Sequence, residues 1–82
     1  MKNGTGHILI VDDSAGLRAL LSSRLQALEL SCEQAENGRD ALRMLSEKPF
    51  DMVLLDIVMP AMDGYQVLSA IKSDPRLRHI PV

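Results

Sequence analysis

The 82 residues carry 46% hydrophobic and 24% charged side chains and a formal net charge of −2, a globular composition too apolar for a disordered segment and too short for a second domain. No basic stripe is present to neutralise phosphates, which excludes an electrostatic nucleic-acid binder. The longest apolar runs, residues 8–11 and 52–55, fall far below the roughly 20 residues that span a bilayer, so no membrane role is expected. The single cysteine, Cys32, cannot pair internally, and no basic-then-apolar leader opens the chain; both point to a reducing, cytoplasmic setting.

Residues 1–6, MKNGTG, are polar and aperiodic and read as a flexible leader ahead of a single folded unit, residues 7–82. HILIV, residues 7–11, is a continuous β-branched run that stops abruptly at Asp12-Asp13, the pattern of a parallel strand buried on both faces. Ser14 is placed to cap the helix that follows. Leu17, Leu20, Leu21, Leu25 and Leu28 recur at the spacing of one helical face and are read as core, with Arg18, Ser22, Gln26 and Glu29 falling elsewhere. SCEQA, residues 31–35, is a polar strand suited to a sheet edge. Asn37-Gly38 supplies cap chemistry for a short helix through Ala41, Leu42 and Leu45, which Pro49 ends.

MVLL, residues 52–55, is a second buried strand, and it too ends in a carboxylate, Asp56. A third helix carries Val67, Leu68 and Ile71 on one side, with Asp63 as its cap. It should stop by Ser73 or Asp74, because Pro75 pushes the residue before it out of helical dihedrals. Residues 79–82 read as a fourth strand beginning. The alternation of strand and helix predicts an α/β fold, a doubly wound parallel sheet with helices on both faces.

Ligands of open α/β sheets bind beyond the carboxyl ends of the strands, and Asp12, Asp13 and Asp56 all occupy such ends. If the two apolar strands are neighbours, the carboxylates converge. Like charges about 5 Å apart repel by roughly 3 kcal/mol at an effective dielectric near 20, so a proton or a cation must compensate them. An all-oxygen set with open positions suits Mg²⁺. An Asp carboxylate is also a competent nucleophile toward phosphorus once charge and position are managed.

ILIVDDS, followed some forty residues later by LLDIVMPAMDGYQVL, resembles the response-regulator receiver domain of two-component signalling, and the resemblance runs from His7 to Val82. It implies the flavodoxin-like strand order 2-1-3-4-5, of which three βα units are expected here, and a phosphoprotein role in a phosphorelay. It also implies that Asp56 is the phosphoacceptor, and that Asp12, Asp13, Asp56 and the main-chain carbonyl of Val58 hold Mg²⁺. The implied partners are a histidine kinase or a phosphotransfer protein and a fused or separate output domain; the implied chemistry is self-phosphorylation and self-dephosphorylation, not enzymatic turnover. Receivers further carry a Ser or Thr ending the fourth strand and a Lys ending the fifth. Lys48 and Lys72 lie elsewhere in the pattern, so the chain is expected to be the N-terminal part of a receiver.

A strand-end acid is most often a cap or a solvated turn, the reading kept for Asp63. His7 and His79 have no acidic or cysteine partners at ligand spacing and receive no role. Cys32 reads as packing. A phosphatase of the haloacid dehalogenase type would need an acid two residues after its nucleophile, where Val58 stands. A receiver-like interaction module without phosphorylation remains the alternative. With few strands beside it, the third strand is expected to lie at an open edge that invites self-association.

Overall fold

In the computed structural model, which describes residues 6–56 and 64–82, the sheet is built around its most apolar segment. Strand β1 (His7–Val11) is central, with β2 (Ser31–Ala35) on one side and β3 (Met52–Leu55) on the other, all parallel, in the order β2-β1-β3. Helices α1 (Ala15–Ala27), α2 (Gly38–Glu47) and α3 (Gly64–Ser73) complete a doubly wound arrangement of three βα units, as the alternation predicts. Val11 stands level with Ala35 and with Leu55, so the strands flanking β1 end together with it.

The alternation of side chains along β1 divides the core. Leu9 and Val11 join Val53, Ala41 and Leu45 of α2, Val67 and Ile71 of α3, Phe50, Leu77 and Ile80 in one buried cluster. Ile8 and Ile10, also buried, point to the opposite face, as the two-residue period of a strand requires. Ser14 caps α1, its hydroxyl accepting the Leu17 amide at 3.2 Å, and the Asn37 side chain caps α2 through the Asp40 amide at 2.8 Å. α3 ends at Ser73, ahead of Pro75. Gly6, read with the leader, accepts a hydrogen bond from the Ser31 amide at 2.9 Å; residues 1–5 lie outside the described residues, as does Asp63.

Two expectations are corrected. The leucine stripe of α1 is not core along its length: Leu17, Leu20 and Leu28 are 42%, 48% and 68% exposed, while Ser22 is buried. The helix is rolled so that Arg18, Leu21, Ser22 and Leu25 lie toward the sheet, where Ser22 meets Cys32 of β2 with Oγ and Sγ 3.2 Å apart. Residues 79–82 are not a strand. Turns close through Leu77 and Arg78 amides on the Asp74 carbonyl, and Lys72 Nζ holds the carbonyls of Arg78 and Ile80 at 3.1 and 3.2 Å. Pro81 has no amide to extend a ladder, yet its carbonyl accepts the Val53 amide at 2.9 Å, so the outer edge of β3 is engaged at one point.

Candidate functional site

The ladders on both sides of β1 run one residue past the strands: the Asp12 amide donates to Ala35 and the Asp56 amide to Val11, at 3.1 and 2.9 Å. Since Val11 is in register with Leu55, the next residue of each strand, Asp12 and Asp56, leaves the sheet at the same level and on neighbouring strands. One carboxylate oxygen from each of Asp12, Asp13 and Asp56 lies within 4.8 Å of the others. The predicted convergence of these three acids is therefore present in the fold. Val58, the fourth ligand that the resemblance implies, lies outside the described residues, together with Met59, Pro60 and Met62.

The three acids differ in surroundings. Asp12 is only 6% exposed, and its Oδ1 accepts the Ser14 amide at 2.8 Å, a local turn in which a short carboxylate side chain bonds the backbone two residues on. Asp13 is exposed and Asp56 is half-buried. A cavity of about 260 Å³ adjoins the pair of strand ends, with Asp12 and Asp56 beside the apolar Ile10, Leu21 and Leu54. Asp12 and Asp56 thus line a groove whose other lining residues are apolar.

The donor set is hard and all-oxygen, and it concentrates negative charge, which fits a divalent cation of the Mg²⁺ class that keeps some of its water. Like charges brought this close repel, and a bound divalent cation would offset that repulsion.

Two groups that the sequence left without a role are placed by the fold. Arg18 of α1 reaches the site from the side: its Nη1 donates to the main-chain carbonyl of Asp12 at 2.6 Å and its Nε to the Gln34 side chain of β2 at 3.2 Å. At the opposite end of the sheet, His7 Nε2 meets Glu33 at 2.7 Å, Nδ1 meets the Ser31 hydroxyl at 2.7 Å, and the ring stacks on Phe50. Lys48 adds an ion pair to Glu33 at 3.1 Å. The His7 hydrogen bond, then that of Lys48, holds the Glu33 carboxyl below the usual glutamate range. His7 is thus a hydrogen-bonded histidine whose acidic neighbour is supplied by the parallel pairing of β2 with β1; no spacing along the chain encodes that neighbour.

A family model for the response regulator receiver domain matches residues 8–82. The chain is 49% identical over 75 residues to a probable cyclic di-GMP phosphodiesterase of Vibrio cholerae, covering 92% of this chain and 17% of that protein. Among solved structures, the N-terminal domain of a response regulator receiver protein from Methanoculleus marisnigri superposes with a TM-score of 0.92 at 40% identity, over 94% of this chain and 63% of that one. The response regulator TrrA of Thermotoga maritima, solved in complex with Mg²⁺ and beryllium fluoride, gives 0.83 at 37% identity over 87% and 62%. The chain spans less than two thirds of each of these proteins. Among the described residues no helix is long and apolar enough to cross a membrane.

Proposed function

Since this chain belongs to the response regulator receiver family, a family of two-component signalling modules, we propose that it accepts a phosphoryl group on Asp56 in a Mg²⁺-dependent reaction. The observation that carries this reading is the convergence of Asp12, Asp13 and Asp56 within 4.8 Å at the ends of two adjacent parallel strands. The donor is the phosphohistidine of a histidine kinase or phosphotransfer protein. A carboxylate oxygen of Asp56 attacks phosphorus, the P–N bond to the donor imidazole breaks, and an acyl phosphate forms, with the nitrogen taking a proton as it leaves.

Asp12, Asp13 and Asp56 are the residues that would hold Mg²⁺. When bound, the ion offsets the negative charge that the acids and the transferring phosphoryl oxygens bring together. The chain's own contribution is placement. The β1–β3 register presents Asp56 level with Asp12, and the Ser14 amide tethers the Asp12 carboxylate through Oδ1. Conversion of this event into an output belongs to segments fused to the receiver or to separate partners. The 17% of the Vibrio cholerae relative that this chain matches is consistent with a receiver joined to something larger.

Beryllium fluoride, a tetrahedral stand-in for a carboxyl-bound phosphoryl group, tests the reading without a kinase. With Mg²⁺ present, its addition should shift the amide signals of Asp12, Asp13 and Asp56 in a saturable way, and Asp56→Asn should abolish the response. Shifts that persist in Asp56→Asn, or that ignore Mg²⁺, would contradict it.

A further inference from the structure

We propose that Arg18 is a positioning residue for the acidic cluster, a deepening that rests on the cation-site reading above. Its guanidinium bridges two elements: Nε donates to Gln34 on β2 at 3.2 Å, and Nη1 donates to the Asp12 carbonyl at 2.6 Å. That carbonyl belongs to the peptide plane joining Asp12 to Asp13, and a planar peptide moves as one body. Holding its oxygen therefore restrains the last backbone rotation of Asp12 and the first of Asp13, and with them the placement of the two Cβ atoms relative to one another.

A second tether acts on the same residue from its side chain, where Oδ1 accepts the Ser14 amide at 2.8 Å. Asp12 is thus held through its carbonyl by α1 and β2 and through its carboxylate by the turn that starts α1. A flat guanidinium with several donors can meet a carbonyl and an amide oxygen at once; a lysine ammonium carries the same charge but lacks that fork. Outer partners of this kind orient the groups that touch a metal ion and commonly change its affinity 10- to 100-fold when removed.

Charge and position make opposite demands on cation binding here. A cation of the protein beside a cation site repels the incoming ion, so if Arg18 acted by charge alone, Arg18→Ala would bind a divalent ion more tightly. As a positioning residue, its loss weakens binding.

The experiment titrates the full 82-residue chain with Mn²⁺, followed by water-proton relaxation, in the parent and in Arg18→Ala, Arg18→Lys and Asp13→Asn. The ¹³C signal of the Asp12 carbonyl and the unfolding midpoint without metal are recorded for each. Expected are an affinity about tenfold lower in Arg18→Ala, partial recovery in Arg18→Lys, and a displaced Asp12 carbonyl signal in Arg18→Ala while the protein remains folded. Equal or tighter Mn²⁺ binding by Arg18→Ala overturns the inference and leaves the cation site standing. Mn²⁺ binding that Asp13→Asn does not disturb overturns the site and the inference together.

Discussion

Asp12 and Asp13 are adjacent in the chain, and the fold gives them separable duties. Asp12 is buried and anchors a turn through the Ser14 amide; Asp13 is exposed and contributes charge. Asp12→Ala leaves that amide without its acceptor and is expected to lose about 1–3 kcal/mol of stability in urea unfolding. Asp12→Asn keeps an oxygen in place for the turn and should lose far less. Asp13→Asn should leave the metal-free unfolding midpoint no lower than the parent's, since it removes a repelling charge, while abolishing most of the rise that Mg²⁺ produces. A parent-like Mg²⁺ response in Asp13→Asn would remove that residue from the cation site.

At the scale of elements, the three strands, the Ser14 and Asn37 caps and the stop of α3 ahead of Pro75 were legible because each is encoded locally, in apolar runs, cap side chains and proline geometry. The orientation of α1 was not. Its leucines define an apolar stripe, but what a stripe packs against is set by neighbouring elements, and here the sheet takes Leu21, Ser22 and Leu25 and leaves Leu20 and Leu28 exposed. Leu28→Lys is therefore expected to change stability by no more than about 0.5 kcal/mol, where the core reading would demand several.

The end of α1 was equally hidden. Glu29 has φ 65°, with its amide on the Gln26 carbonyl and the Leu30 amide on the Leu25 carbonyl, a helix stop that ordinarily uses glycine. Glutamate in the left-handed region is strained, so Glu29→Gly should gain on the order of 0.5–1 kcal/mol after the entropy lost with glycine is counted; a destabilised variant would contradict this. Of the candidate site, the three acids were legible as strand ends. Arg18 was not, because its link to Asp12 depends on how α1 lies over β1 and β2.

For the whole molecule, one buried cluster shared by the sheet, α2 and α3 carries the fold, and a chain this small has little stability in reserve. Ile71→Ala, at a fully buried position, should lose about 2–5 kcal/mol, enough to populate the unfolded state in the absence of denaturant. Acid should act through the far end of the sheet. Glu33 titrates below its ordinary value of 4.5 in the folded chain, first through His7 and then through Lys48. Its contribution is therefore complete above that ordinary value and is lost as pH falls through the depressed one. Glu33→Gln should flatten this limb of a urea-midpoint series against pH; an unchanged slope would show that the His7–Glu33–Lys48 group is not proton-linked to folding.

Whether the register of β1 and β3 assembles a phosphoacceptor at Asp56 is read from the intact mass of the chain after incubation with acetyl phosphate and Mg²⁺, with the modified residue located by borohydride trapping and peptide mapping. A single phosphoryl addition at Asp56, dependent on Mg²⁺ and absent in Asp56→Asn, is the expected result. No addition, or addition at another residue that survives in Asp56→Asn, would contradict it.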